Sequence, residues 1–195
     1  MRPVLTIVAW TAASLAFGFV FIHPFLDGNG RLGRLLITLL LFTEGALSEP
    51  ILYLSLFFKQ NRATYYDLLQ KVRTEGHWEA WLRFFLTGVL ETSEQAVQTA
   101  KAILQLFDED RRKIETLKRP AASALRVHQY LQTKPLTSIQ SAATALALSL
   151  PTVTTALTHL ATLGIVQELT GKQRNRMFFY AAYLKILEQG IEPLQ

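Results

Sequence analysis

The sequence predicts an all-α first domain, residues 1–118, followed by a small winged helix-turn-helix domain with a β-hairpin wing, residues 119–195. Three observations predict this fold. Apolar residues recur every three or four positions through most of the first 118 residues. Pro120 follows a charged run and ends the last of these helices. Beyond Pro120 the pattern changes to three short helices and then two short strands.

The first domain contains four predicted helices. The first spans Arg31–Thr43 and stops at Gly45, and the second follows Asn61 as N-cap and ends at Gly76. The third is "WEAWLRFFLTGVLE". Ser93 is then predicted to cap a long fourth helix, whose last part, "DEDRRKIETLKR", we interpret as a solvated face or a linker.

The second domain begins with the helix "ASALRVHQYLQTKP". The helices "TSIQSAATALAL" and "SLPTVTTALTHLATLG" follow with a tight connection, and Gly164 ends the latter. The segments "IVQEL" and "RMFFYA" are predicted strands joined by the basic turn "TGKQRN". A helix, a helix-turn-helix and a hairpin in this order predict a winged helix.

This second domain leaves two functions open. Lys172, Arg174 and Arg176 lie on the predicted wing, where they suit contacts to DNA phosphates. The predicted recognition helix, "LPTVTTALTHLATL", has no Arg, Lys, Asn or Gln to read base edges. The domain is therefore either a DNA-binding module or a module for protein interaction or homodimer formation, and the sequence favours the second.

Composition limits the class of protein. Half of the 195 residues are hydrophobic and 18% are charged, which excludes a disordered chain. The absence of cysteine excludes disulfides and thiolate metal sites and fits a reducing, cytoplasmic compartment. The net charge of +5 favours anionic partners such as nucleotides.

The N-terminal segment is apolar and carries no charge from Pro3 to Ile22. It could be a buried core helix, a membrane or export segment, or an aberrant start from which a natural upstream part was lost. Thr6, Thr11 and Ser14 interrupt the run. We therefore favour the core helix and expect no association with a membrane.

The segment "HPFLDGNGRLGR", residues 23–34, concentrates polar chemistry at the start of an apolar helix. Gly28, Asn29 and Gly30 would expose backbone N–H groups at the helix N-terminus, where the helix dipole also favours an anion. Arg31 and Arg34 are one turn apart and could both hold a polyphosphate. The helix start is therefore a predicted phosphate site.

Two further side chains give this site its chemistry. Asp27 lies where a carboxylate beside phosphates is best explained by a bridging magnesium ion. His23 precedes the turn, and the ordinary pKa of its imidazole suits a proton acceptor. Each residue alone could be a turn, a cap, a surface charge or a core histidine. Their combination within twelve positions predicts phosphoryl or nucleotidyl transfer to a hydroxyl group.

These twelve residues match the motif of the Fic family, H-x-F-x-(D/E)-G-N-G-R-x-x-R, at every fixed position, so the chain resembles Fic proteins. Most Fic proteins are adenylyltransferases that move AMP from ATP onto a Ser, Thr or Tyr hydroxyl of a target protein. The segment "NRATYYDLLQKVRTEGHWEAWLRFFLTGV" is similar to the region after the motif in bacterial members, and a winged helix is a common companion. The resemblance runs from about residue 19 to the C-terminus.

The resemblance implies a Fic-type helical core that is shortened at its N-terminus. Family members carry further helices and a β-hairpin flap before the motif, whereas the 22 residues before His23 do not resemble that region. Ile22 and Phe25 would be core residues, Phe25 beneath the motif loop. A rival interpretation is a DNA-binding winged-helix regulator with an inactive, truncated Fic domain.

The resemblance also assigns a role to each motif residue. His23 would be the general base, and Asp27 would bind Mg²⁺ on the α- and β-phosphates of ATP. Asn29 and the backbone of Gly28 and Gly30 would hold the α-phosphate.

The two arginines would hold the outer phosphates, Arg31 the β-phosphate and Arg34 the terminal one. Doc-like relatives that phosphorylate their targets carry Lys at the position of Gly30, so glycine here favours AMP transfer.

Overall fold

In the computed structural model the described residues are Thr11, Ser14, Gly18, Ile22 and the ranges 24–47, 54–171 and 176–188. This part of the chain is mostly helical, with one small sheet. It divides into two compact units, Met1–Val97 and Gln98–Gln195. The division falls inside a helix, whereas the sequence predicts a domain boundary just after residue 118.

The first unit is built from helices. They are α1, Asn29–Thr43; α2, Leu54–Gln60; α3, Arg62–Glu75; and the first part of α4, Trp78–Glu115. Aromatic side chains from three of these helices fill the core: Phe57, Phe58, Tyr65, Trp81 and Phe85. The helix predicted over residues 31–43 is confirmed as α1, and the C-cap predicted at Gly76 is confirmed by its φ of 71°.

Helix α4 corrects the prediction of two helices over this region, since it runs unbroken for 38 residues. Ser93 lies in its interior and caps nothing. Thr92 shows why a polar stretch does not break the helix, because its Oγ1 donates to the carbonyl oxygen of Gly88 one turn earlier, at 2.6 Å. Gly88 is needed for packing, since a Cβ there would lie 2.5 Å from the Phe57 ring.

The second unit continues with α5, Ala121–Thr133; β1, Leu136–Ser138; α6, Ile139–Leu146; α7, Leu150–Thr162; β2, Gln167–Glu168; β3, Met177–Phe179; and α8, Ala181–Glu188. The sheet has the order β1-β3-β2 and is antiparallel, with Thr137 opposite Phe178 and Gln167 opposite Phe179. The predicted hairpin of β2 and β3 is confirmed, whereas β1 and α8 were not predicted.

A buried polar network within this unit includes the last part of α4. The charged run is therefore not a linker, although most of its side chains form an exposed face as predicted. Asp110 is 2% exposed and Ile114 is fully buried. The Tyr180 hydroxyl donates to Asp110 Oδ2 at 2.6 Å, and Lys113 Nζ donates to Asp110 Oδ1 at 2.7 Å. The last part of α4 therefore packs within the second unit through Asp110 and Ile114.

The same network determines the state of His128. The one proton of the Tyr180 hydroxyl goes to Asp110, so His128 Nε2, 3.2 Å away, must donate to Tyr180 Oη. His128 Nδ1 is then the acceptor for Gln132 Nε2 at 3.4 Å. Burial lowers the pKa of His128, although the Asp110 carboxylate acts in the opposite direction. His128 is therefore neutral in the folded protein at neutral pH.

We expect the second unit to lose stability as the pH falls below about 6.5, the ordinary pKa of histidine. The unfolded chain then binds a proton on His128 before the folded chain does, so the free energy of unfolding decreases until the pH passes the lowered folded pKa. Urea titrations at several pH values, followed through the NMR signals of α5, measure this. His128→Gln should flatten the dependence, and an identical pH profile in that variant would contradict the assignment.

Within the part of the chain that the structure describes, no single helix is long and apolar enough to cross a membrane. Ile139–Leu146 and Leu150–Thr162 reach that length and hydropathy only as a pair, across a bend of 115°. In the N-terminal segment Thr11, Ser14, Gly18 and Ile22 are helical.

Candidate nucleotide site at the start of helix α1

The motif forms a turn over residues 24–28 that leads directly into α1. Gly28 has φ 83° and ψ 1°, a left-handed conformation that glycine adopts without steric cost. Its carbonyl oxygen accepts the N–H groups of Arg31 and Leu32, both at 3.0 Å. Gly28 is therefore the residue at which the chain turns into the helix.

Asn29 holds this turn in shape. Its side chain is 6% exposed, its Oδ1 accepts the Phe25 N–H at 3.0 Å, and its Nδ2 donates to the Phe25 carbonyl at 2.6 Å. One side chain thus pairs with both backbone polar groups of Phe25. Asn29 Nδ2 carries two protons and uses one of them for the Phe25 carbonyl. The predicted contact of Asn29 with a phosphate would use the other proton.

The N-terminus of α1 carries no side-chain cap and no acidic residue in its first turn. Asp27 Oδ1 accepts the N–H of Gly28 at 2.6 Å, one residue before the helix begins. Among the described residues, no side chain therefore caps the positive end of the helix dipole at this N-terminus. Such helix N-termini are the arrangement that binds phosphate.

The two arginines of the motif differ in environment. Arg31 pairs with Asp27 across 3.7 Å, and both side chains are highly exposed, 78% and 94%. An exposed pair of this kind contributes little stability and exchanges easily for a ligand. Arg34 is half-buried, and its Nε donates to Ser55 Oγ of α2 at 3.1 Å. The site thus has one exposed arginine, Arg31, and one arginine, Arg34, that is held by a second helix.

Tyr65 of α3 lies near Arg34. It is buried, and its ring lies 5.0 Å from that of Phe58 and 5.6 Å from that of Trp81. Burial raises the pKa of Tyr65 to about 12, and the positive charge of Arg34 acts in the opposite direction. Sequence reasoning missed both Tyr65 and Ser55; the available signal was a serine between the apolar Leu54 and Leu56.

Some predicted residues lie outside this geometry. His23, Lys172 and Arg174 are outside the described residues. Ile22 and Phe25 are 77% and 54% exposed, so the core roles that the resemblance implied for them are wrong. The side chain of Ile22 extends into solvent, and the loop at Phe25 is held through its backbone by Asn29 instead.

Arg176, the third predicted wing residue, is paired within the sheet. Its Nη2 donates to Glu168 Oε2 at 2.6 Å, and its guanidinium lies 4.9 Å from the centroid of the Phe178 ring. Contact of Arg176 with DNA stays a prediction, and it would have to replace these two interactions.

The candidate site offers a magnesium ion one carboxylate, that of Asp27, among the described residues. Among the described residues, no group of three or more His, Asp or Glu side chains could hold a metal ion. Mg²⁺ commonly takes one or two carboxylates and completes its shell with substrate phosphates and water. The exposed Asp27 carboxylate fits a magnesium ion that arrives with a nucleotide.

Comparison with known proteins places the similarity on this segment. The model of the Fic/DOC family matches residues 8–41. The match begins before residue 19, where the resemblance starts, and it ends at Leu41, near the end of α1.

The curated relatives are similar over short stretches. "Protein adenylyltransferase Fic" of Aedes aegypti and that of Culex quinquefasciatus are each 44% identical over 73 residues, 37% of this chain and 13% of the relative. A Fido domain-containing protein of Dictyostelium discoideum is 62% identical over 34 residues, 17% of this chain and 24% of the relative. The matched stretch is thus a small part of each relative. The segment that forms the turn and α1 is therefore similar to the Fic/DOC family.

Proposed function

We propose that this chain transfers AMP from ATP to a Ser, Thr or Tyr hydroxyl of a target protein. The observation that carries the proposal is the uncapped N-terminus of α1, toward which Arg34 is fixed by another helix. The names of the curated relatives, protein adenylyltransferases, support the same activity.

In this proposal the phosphates of ATP bind to residues that the structure describes. The N–H groups of Asn29 and Gly30 offer hydrogen bonds to an α-phosphate, and the glycines let its oxygens approach the backbone. Arg31 and Arg34 supply positive charge for the β- and γ-phosphates. Asp27 would hold the Mg²⁺ of the nucleotide, which neutralises phosphate charge when it is bound.

The reaction then needs a base and a leaving group. The target hydroxyl oxygen attacks the α-phosphorus, the bond to the β-phosphate oxygen breaks, and pyrophosphate leaves. His23 takes the hydroxyl proton as the new oxygen–phosphorus bond forms. Backbone N–H groups that are fixed before the reaction would stabilise the charge that develops on the α-phosphate oxygens.

We expect Gly30→Glu to weaken ATP binding at least tenfold, about 1.4 kcal/mol. The new carboxylate would lie at the phosphate site beside Arg34, since even a Cβ at Gly30 would be 3.4 Å from Arg34 Nη1. It would pair with that guanidinium and repel the phosphates. Isothermal titration of ATP with and without Mg²⁺ measures the loss.

Gly30→Gln is the matched control, because glutamine adds the same bulk without the charge. It should bind ATP more tightly than Gly30→Glu. Equal ATP affinity in the wild type and in Gly30→Glu would contradict a phosphate site at the start of α1.

The transfer itself is tested with ATP labelled on either the α- or the γ-phosphate, together with Mg²⁺ and a cell lysate. Label from the α-phosphate on a protein band indicates AMP transfer. Label from the γ-phosphate alone would indicate a kinase and contradict the argument from Gly30.

For the second unit we propose a winged-helix module that binds a protein or a second copy of the chain. The order of its helices and its three-stranded sheet support the fold. The Thr154, Thr158 and Thr162 hydroxyls of α7 each donate to a carbonyl one turn earlier, which disfavours DNA reading by this helix. The rival function, a DNA-binding regulator with an inactive Fic domain, stays a hypothesis.

A further inference from the structure

Arg34 is connected to a second helix by a single polar contact. Its Nε–H donates to Ser55 Oγ at 3.1 Å, across 21 positions of sequence. Both side chains are half-buried, so water competes only in part for this hydrogen bond. Ser55 is the second residue of α2 and stands between apolar neighbours.

This contact determines which edge of the guanidinium is available. The guanidinium has five N–H groups, and the bond to Ser55 uses the one on Nε. Nη1 lies 3.4 Å from the position that a Cβ of Gly30 would occupy. The terminal nitrogens are therefore held beside the first turn of α1, next to the N–H groups that favour an anion.

An aromatic side chain of α3 also lies near Arg34. Tyr65 lies close enough to Arg34 for the positive charge to influence its titration, and it packs on Phe58 and Trp81 in the aromatic core. Arginine loses considerable rotamer entropy when it is held in one geometry. Part of this entropy is lost before any ligand binds, because Ser55 of α2 already holds the side chain.

We propose that Ser55 is a positioning residue, whose hydroxyl orients the Arg34 guanidinium so that its terminal nitrogens meet the outer phosphate of a nucleoside triphosphate. The inference rests on the proposed function for the identity of the ligand. The contact between the two side chains can be tested without it.

The first experiment observes the contact directly in the full chain. The Nε–Hε signal of Arg34 is assigned by its loss in Arg34→Lys, and its exchange with water is measured by NMR without nucleotide. Ser55→Ala should speed this exchange roughly five- to tenfold, the scale of one ordinary hydrogen bond. Ser55→Thr keeps a hydroxyl and should retain the slow exchange, whereas Ser93→Ala is the matched control within α4.

The second experiment measures what the contact does for binding. ATP and ADP are titrated against the wild type, Ser55→Ala, Ser55→Thr and Arg34→Ala. Ser55→Ala should weaken ATP binding about tenfold and leave ADP binding nearly unchanged, since ADP lacks the outer phosphate. A defect of general packing would weaken both nucleotides alike and would lower the free energy of unfolding.

The outcomes separate the inference from the function. Unchanged exchange of the Arg34 proton in Ser55→Ala overturns the positioning role, whatever the ligand. Unchanged ATP affinity in Ser55→Ala, together with a loss in Arg34→Ala, overturns it and leaves the proposed function intact. A wild-type chain that binds no ATP overturns the proposed function, and with it the part of the inference that concerns phosphate.

Discussion

Replacing His23 with alanine should lower the rate of AMP transfer roughly 10²–10⁴-fold, the usual contribution of a general base. The imidazole would act on the target hydroxyl and not on the phosphates, so ATP affinity should remain at the wild-type level. The rate of label transfer from α-labelled ATP and a calorimetric titration measure the two quantities on the same preparation.

The control for this variant is His77→Ala, because His77 is an exposed histidine paired with Glu75 away from the motif. It should transfer AMP as the wild type does. Transfer at an unchanged rate in His23→Ala would remove His23 from the mechanism. Loss of ATP binding in the same variant would show that His23 holds the nucleotide or the turn instead.

Replacing Asp110 with alanine should destabilise the second unit by about 1–3 kcal/mol, the cost of leaving a buried donor without its acceptor. The hydroxyl of Tyr180 loses its acceptor, and the direction of its hydrogen bond with His128 is no longer fixed. Burial and the hydrogen bond to Asp110 both raise the pKa of Tyr180, so its proton cannot be released at neutral pH.

The exposed Asp108 provides the control, since it lies two positions away in the same helix and pairs only with the exposed Arg112 among the described ion pairs. Asp108→Ala should change the free energy of unfolding by about 0.5 kcal/mol or less. Asp110→Asn retains an oxygen acceptor and should fall between the two. Equal stability of the Asp108 and Asp110 variants in urea titrations would contradict a buried network.

The sequence predicted those parts of the fold that depend on neighbouring residues. The start of α1 follows from Gly28, which permits the left-handed turn, and from the apolar residues after it. The end of α3 follows from Gly76, and the end of α7 from Gly164, which has φ 73°. Such signals depend on neighbouring residues and can therefore be recognised in the sequence alone.

The errors arose where a local signal was ambiguous or where distant residues decide the structure. Ser93 resembles an N-cap, yet a helix interior accepts serine when its flanks continue the apolar pattern. Asp110 belongs to a charged run, and nothing near it in sequence reveals that Tyr180, 70 positions later, completes its burial. Strand β1 has only three residues and exists because it pairs with β3.

The candidate site shows the same division. The anion-binding turn was predicted from twelve consecutive residues, and the uncapped helix start supports it. Ser55 could not be assigned to Arg34, because the contact depends on how α2 packs against α1. The direction in which a long side chain extends is set by the tertiary structure.

The two hydrogen bonds between the Asn29 side chain and the Phe25 backbone also affect how the chain folds. Both hydrogen bonds join residues four positions apart, and Gly28 is bonded to residues three and four further on. Closing such short loops costs far less entropy than joining residues 70 positions apart, as Tyr180 and Asp110 are. We therefore expect the turn before α1 to form on the timescale of a single helix, and the polar network of the second unit to form only after residues far apart in sequence meet.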